Sequence, residues 1–415
     1  MNRPAEPAPP GRCYLVGGAV RDALLGRPPG DRDWVVVGSS QGEMEAAGYR
    51  AVGRDFPVFL HPRSQEEFAL ARTERRSGRG HRGFVVDADP GVTLEQDLRR
   101  RDLTINAMAR DGEGALVDPW GGEADLRDRW LRHVSPAFAE DPLRILRVAR
   151  FAAQLGEHDF RLHPDTATLL REMVAADMLA ELAPERVWNE LSRALMSPMP
   201  QRFFTLLREV DALPRLLPEL EAQFGQPQPA KYHPEIDAGL HTLLCLQATA
   251  RAQDPLPVRF AVLCHDFGKG ITPAEILPSH RGHERSGLPL VEAVCKRFRV
   301  PRDCRELALK VCEWHLHGHR ARELRPGTLL EVLEGLDALR RPERLEAFLA
   351  ACTADVRGRT GYEDSGYPQA AVYRAALAAV QAVDAGAIAR ACPTPAQIPQ
   401  RLREARTAAI ADSRA

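Results

Sequence analysis

Leu15 to Gly38, LVGGAVRDALLGRPPGDRDWVVVG, constrains this chain more than any other stretch. An apolar run meets two glycines, a short helical pattern follows, and an acidic turn opens a second apolar run. Gly17 and Gly18 leave backbone N–H groups open to an anion, because no Cβ stands in the way. Arg21, one turn along, adds positive charge to the same place. Asp31 and Asp33 stand two apart at the start of Trp34–Val37, and period two puts both carboxylates on one face of a strand. Two carboxylates about 5 Å apart repel by roughly 3 kcal/mol at an effective dielectric of about 20. A shared Mg²⁺ offsets that repulsion and suits phosphate chemistry. A lone D-x-D would read as a solvated turn; the glycine turn and Arg21 favour the metal. A dinucleotide-binding turn fits poorly, since GGAVRD is not G-x-G-x-x-G and no clean βαβ unit follows.

The 415 residues call for two to four domains. No apolar run approaches a membrane span, and no signal-peptide pattern opens the chain, so no membrane association is expected. The eight cysteines form no C-x-x-C pair and sit mostly in apolar segments, as in a reducing cytoplasm. Lys plus Arg is 56 against 57 Asp plus Glu, so a nucleic-acid partner needs a local basic surface. Arginine clusters at 72–82, 99–101 and 127–150, although on charge alone solvated arginine faces are the more common explanation.

Residues 1–11 are Pro/Ala-rich and read as a disordered lead-in. Short strands are expected at Val58–His61, Glu67–Leu70 and Ala115–Pro119. Between them Ala71–Gly83, ARTERRSGRGHRG, reads as a mobile basic loop, with Glu74 a weak candidate for a third carboxylate. A helix over Thr93–Arg101 leads into RRRDLTINAMA. Glu140–Phe151, EDPLRILRVARF, has helical periodicity, with Asp141 suited to cap it and Pro142 to its first position. Arg144, Arg147 and Arg150 recur every three residues along it.

Together these stretches resemble the class II tRNA nucleotidyltransferases of the polymerase-β superfamily, the CCA-adding enzymes, and their relatives the bacterial poly(A) polymerases. The resemblance implies that Asp31 and Asp33 hold Mg²⁺, that Gly17, Gly18 and Arg21 seat the triphosphate, and that Arg101 contacts the incoming nucleotide. EDPLR matches the family's EDxxR motif, which implies that Asp141 and Arg144 read the base and that Arg147 and Arg150 bind phosphate or ribose. Cytosine and adenine both present an amine donor beside a ring-nitrogen acceptor, which a carboxylate next to a guanidinium complements; uracil and guanine present the reverse. Cap duty and base reading compete for Asp141.

Histidines concentrate between 233 and 319. His265–Asp266 ends an apolar helix, His241 sits on an earlier one and Asp355 on a later one. This resembles the HD phosphohydrolase pattern and implies a metal site of His241, His265, Asp266 and Asp355, with His265 and Asp266 catalytic. His280, His283 and His315 are weaker candidates, and His317 and His319 read as solvated loop residues. Mixed imidazole and carboxylate ligands suit Ni²⁺, Mn²⁺ or Co²⁺ better than Mg²⁺.

The expected fold is α+β: a small mixed-sheet nucleotidyltransferase head (12–139), an all-α neck (140–224), an HD body (225–360) and a helical tail (361–415). The function implied is addition and repair of the tRNA 3′-terminal CCA from CTP and ATP in the cytoplasm, by a monomer or homodimer. The HD domain would hydrolyse phosphoesters, including 2′,3′-cyclic phosphates and 2′-nucleotides. The alternatives are a poly(A) polymerase, an HD hydrolase whose head only binds RNA, and a non-catalytic tRNA-binding scaffold. Intact Asp and His-Asp pairs argue against the last.

Overall fold

The computed structural model describes residues 9–28, 30–52, 58–76 and 84–414, with the backbone alone for 74–76 and 84–86. The chain divides into two compact units, residues 1–190 with 209–212, and residues 191–208 with 213–415.

The first unit is built on a seven-stranded mixed sheet. Its strands are β1 (Arg12–Val16), β2 (Asp33–Val37), β3 (Arg50–Val52), β4 (Val58–Leu60) and β5 (Glu67–Leu70), then β8 (Ala109–Arg110) and β9 (Leu116–Val117), in spatial order β3-β4-β5-β2-β1-β8-β9. β2 pairs antiparallel with β1 and parallel with β5, where Asp33 stands opposite Glu67. The run Trp34–Val37 is apolar throughout because this central strand is covered on both faces. Val35 packs with Val16, Leu98 and Ala109 on one side, and Val36 with Met44, Phe59 and Phe68 on the other.

The helices of this unit are α1 (Gly18–Leu24), α2 (Gln41–Ala46), α3 (Leu94–Arg99), α4 (Gly122–Asp128), α5 (Leu143–Gln154) and α6 (Pro164–Ala175), and α7 (Pro184–Leu195) crosses into the second unit. Thr93 and Gln96 form a reciprocal cap on α3, as Ser40 and Glu43 do on α2. Part of the expected loop at 71–83 is instead a ladder, with β6 (Thr73–Arg76) antiparallel to β7 (Phe84–Asp87). The rest of that loop, and the side chain of Glu74, lie outside the described residues, as does most of the lead-in.

The second unit is helical. After α8 (Gln201–Glu209), α9 (Leu213–Leu216) and α10 (Pro218–Glu221), its body is α11 (Ala238–Arg251), α12 (Leu256–Cys264), α13 (His283–Phe298), α14 (Arg302–His319), α15 (Pro326–Gly335) and α16 (Pro342–Arg357), and α14 packs against α12, α13 and α16. α17 (Gln369–Gln381) and α18 (Ala385–Ala391) follow, and α17 lies against α19 (Ile398–Asp412). Among the described residues no single helix is long and apolar enough to cross a membrane.

His317 and His319 are not loop residues. They lie in the last turn of α14 and are half-buried. Gly318 between them is a packing glycine: a Cβ there would meet Cys352 Sγ at 2.8 Å and Phe348 Cζ at 3.2 Å.

Candidate active sites

The first site forms where β1 turns into α1. Gly17 has φ +70°, ψ −131°, a conformation side chains rarely adopt. A Cβ on it would stand 3.0 Å from Arg101 NH1, so glycine is what lets that guanidinium rest on the turn. Arg21 is buried; its NH1 donates to Asn106 Oδ1 (2.6 Å) and its Nε to Asp22 Oδ1 (3.0 Å). Asn106 Nδ2 donates to Asp102 Oδ1 (3.0 Å), and Arg147 Nε donates to Asp102 Oδ2 (2.7 Å). A polar chain thus ties the glycine turn to α5.

Asp33 opens β2 and Asp31 precedes the strand, so the pleat alone does not align them; both are exposed. Partial burial raises the Asp33 carboxyl above its ordinary range against the pull of Arg101, and Glu67 and Asp31 raise it further. Three carboxylates therefore act on one another beside Arg101, an arrangement a divalent cation relieves. Glu67 is the group that sequence reasoning missed. It arrives through the parallel pairing of β2 with β5, which no local pattern reveals.

Asp141 precedes α5 and Arg144 lies in its first turn; the helix begins at Leu143 rather than near Glu140. Asp141 Oδ1 accepts the Leu143 N–H (3.0 Å), and Oδ2 takes Arg186 NH2 (3.0 Å). Arg144 donates to the carbonyls of Ala137 (3.0 Å) and Arg100. Asp141 thus both holds the helix start and pairs with Arg186, a partner on α7 that the sequence did not single out. Arg150 is buried, with Nε donating to Glu190 Oε2 (2.6 Å) and NH1 to Gln154 Oε1 (3.0 Å).

Burial would push Asp102 up, but Arg147, the Asn106 amide and the Leu103 N–H outweigh it and hold the carboxyl well below its usual range. A carboxyl depressed by folding stabilises above its unfolded pKa of about 3.9, and that stability is lost as pH falls through the folded value. Arg147→Ala leaves the buried anion without its main partner. Its expected cost is about 3 kcal/mol, the low end for a broken buried pair because Arg147 is one-third exposed. The acid transition of the variant should move to higher pH. Urea unfolding at pH 7 and a pH titration of near-UV ellipticity would show both effects.

The second site lies wholly within the helical unit. His241 on α11 has Nε2 3.1 Å from Asp355 Oδ1 on α16. His265 follows α12; its Nδ1 donates to Val262 O (2.7 Å), which turns Nε2 toward Asp266 Oδ2 (3.2 Å) and Asp355 Oδ2 (3.9 Å). His283 and His315 commit Nδ1 in the same way, to His280 O (2.8 Å) and Val311 O (3.0 Å). Their Nε2 atoms face each other at 3.1 Å and lie 3.1 and 3.6 Å from Asp266 Oδ1. Burial and the neighbouring His283 keep His315 well below its ordinary pKa, hence neutral. Asp266 stays well below the carboxylate range because His265 and Lys269 outweigh its burial. His265 Nε2 is buried without a hydrogen-bond partner, and the buried Asp266 carboxylate is held by ion pairs, with Lys269 Nζ 2.6 Å from Oδ2. Lone pairs converging this way fit divalent cations, with Asp266 placed between two groups of ligands.

His280 stands apart, bonded to Thr272 Oγ1 (2.7 Å) and Pro227 O (3.0 Å). His319 instead joins the cluster, with Nε2 2.6 Å from Asp355 Oδ2. Glu235, also missed, accepts from His241 Nδ1 (2.9 Å) and His233 Nδ1 (3.0 Å). Burial drives His233 down to about 4, so it is a neutral donor at pH 7. By holding His241 Nδ1, Glu235 turns Nε2 toward Asp355 and the cluster. Glu235→Ala is expected to weaken ion binding about 10- to 100-fold, with Glu235→Gln losing less because its amide oxygen still accepts. Calorimetric titration with Mn²⁺ would measure the difference.

Three family models match the chain: the poly A polymerase head domain over residues 13–132, the probable RNA and SrmB-binding site of polymerase A over 159–224, and the HD domain over 239–352. The multifunctional CCA protein of Thioalkalivibrio sulfidiphilus is 61% identical over 374 residues, covering 90% of this chain and 91% of the relative. That of Pseudomonas paraeruginosa is 57% identical over 399 residues, covering 96% and 97%. Among solved structures, the Bacillus stearothermophilus CCA-adding enzyme in complex with CTP matches at TM-score 0.62 and 23% identity, covering 96% of this chain and 89% of that one. The Thermotoga maritima CCA-adding enzyme complexed with tRNA matches at TM-score 0.61 and 19% identity, covering 97% and 90%.

Proposed function

The chain belongs to the family of multifunctional CCA proteins, and from that premise we propose that it builds and repairs the 3′-terminal CCA of tRNA from CTP and ATP by two-metal nucleotidyl transfer, while its HD unit hydrolyses phosphoesters. The observation that carries the polymerising role is the pairing of Asp33 with Glu67 across β2 and β5, with Asp31 and Arg101 close enough to act on the Asp33 carboxyl. Asp31, Asp33 and Glu67 would hold Mg²⁺. When bound, the ions would lower the charge barrier between the tRNA 3′-hydroxyl and the α-phosphate of the nucleotide. Gly17, Gly18, Arg21 and Arg101 line the turn where the triphosphate would lie. Asp141 and Arg144 would select cytosine and adenine, held in place by Arg186 and by the two carbonyls that Arg144 grips. Arg147 and Arg150 would support the sugar and phosphates from α5.

In the HD unit His241, His265, Asp266 and Asp355, with His283 and His315, would hold divalent ions. The imidazole-rich donor set favours Ni²⁺, Mn²⁺ or Co²⁺. Bound there, such ions would supply a nucleophilic water at neutral pH for 2′,3′-cyclic phosphates, 2′-nucleotides and phosphomonoesters. The eight free cysteines suit a reducing compartment such as the cytoplasm, where tRNA would be the partner.

The deciding experiment supplies tRNA lacking its 3′ end with one labelled nucleoside triphosphate at a time. Incorporation of CTP, followed by a single adenosine once both are present, is the expected result. ATP-only tailing would instead indicate a poly(A) polymerase.

A further inference from the structure

Arg359 is a cation at the rim of the HD cluster that the account above leaves unused. α16 ends at Arg357, and at Gly358 the chain passes close to α11: a Cβ there would stand 2.6 Å from Cys245 N. That close approach returns Arg359 toward the site. Its NH2 lies 3.6 Å from Asp355 Oδ1, and its Nε is buried with no hydrogen-bond partner. The loop is fixed around it. The Thr360 N–H donates to Glu235 Oε2 (3.4 Å), and the Tyr362 N–H to Arg359 O (2.9 Å).

The plain reading is a counter-ion for Asp355 four residues back. Asp355 hardly needs one, since His241 Nε2 lies 3.1 Å from Oδ1 and His319 Nε2 2.6 Å from Oδ2. An arginine serving a carboxylate closes to about 2.7–2.9 Å with paired hydrogen bonds, whereas this one stops short and keeps a donor idle. Lys269, a second cation at the cluster, is occupied: its Nζ lies 2.6 Å from Asp266 Oδ2 and 2.5 Å from Gln228 Oε1. Arg359 is 21% exposed and faces both the ligands and solvent.

We propose that Arg359 is the phosphate-holding side chain of the HD site, its guanidinium donating to a non-bridging oxygen of a phosphoester whose remaining oxygens face the ion cluster. The proposal rests on the hydrolase reading of that cluster. It names the ligand as a phosphate ester and assigns its anchoring to a residue that holds no ion.

Inorganic phosphate titrated calorimetrically into the Mn²⁺-loaded full chain tests it. Arg359→Ala is expected to weaken phosphate binding about tenfold or more, as for loss of a charge-assisted hydrogen bond. Arg359→Lys should recover part of that loss, and Mn²⁺ affinity should stay as in the unsubstituted protein. With a 2′,3′-cyclic nucleotide as substrate, KM should rise more than kcat falls. Unchanged phosphate affinity in Arg359→Ala overturns the proposal, and so does a loss that merely tracks weaker Mn²⁺ binding. Failure of the unsubstituted protein to bind phosphate overturns it too. If that protein binds phosphate but hydrolyses no phosphoester with any of the three metals, the hydrolase reading fails while Arg359 keeps its role.

Discussion

Asp33→Asn is expected to lower CTP incorporation into a 3′-truncated tRNA by about a thousandfold, the loss of several kcal/mol of charge stabilisation in the transition state. The substitution keeps the shape of the side chain and removes a negative charge that Arg101 favours and that Glu67 and Asp31 oppose. Because Asp33 is exposed at the head of β2 and its carboxyl already lies above the ordinary range, losing the charge should leave the sheet as stable as before. Single-turnover extension measured across Mg²⁺ concentrations separates the two possible origins of a loss. A defect that excess Mg²⁺ repairs is one of ion affinity, and one that persists is one of chemistry. Hydrolysis of a cyclic phosphodiester by the same variant should be untouched. Incorporation within tenfold of the unsubstituted rate would remove Asp33 from the catalytic centre.

The mirror experiment is Asp266→Asn. One oxygen of Asp266 lies 3.2 Å from His265 Nε2, and the other lies 3.1 and 3.6 Å from the Nε2 atoms of His283 and His315. An asparagine would aim an N–H₂ at an ion or at Lys269, so phosphoester hydrolysis is expected to fall by about a thousandfold or more. Metal content after gel filtration should fall with it, and CTP incorporation should remain. Retained hydrolysis with a full metal complement would place the chemistry elsewhere in the chain.

The legible parts of both sites were those written locally. Gly17, Gly18 and Arg21 lie within one turn, and Asp31 lies two residues before Asp33, which opens β2. His265–Asp266 is a doublet at a helix end. Groups brought in by tertiary pairing were not legible. Glu67 reaches Asp33 across a parallel ladder, and the partner of a parallel strand cannot be read from its own residues. Glu235 sits in the irregular segment His233–Asp237, where no period marks an inward side chain. The only hint was a His-x-Glu shortly before His241. His319 reads as a loop residue from the sequence alone; its place in α14 depends on tertiary packing, where the missing Cβ of Gly318 makes room for Cys352 and Phe348. Arg186 was hidden because nothing on α7 marks which arginine turns back to Asp141. The overall division into a mixed-sheet front and a helical remainder was readable, since the hydrophobic period changes from two to 3.6 along the chain.

The ladder between β2 and β5 has one more implication. Glu67 is thirty-four residues downstream of Asp33 and meets it only when that parallel register is complete. A slip of one position would turn Glu67 to the opposite side of the sheet. Nascent or misregistered copies would therefore carry the sequence motif yet lack the third acid, and the front half would acquire its chemical competence in a single step, together with its architecture.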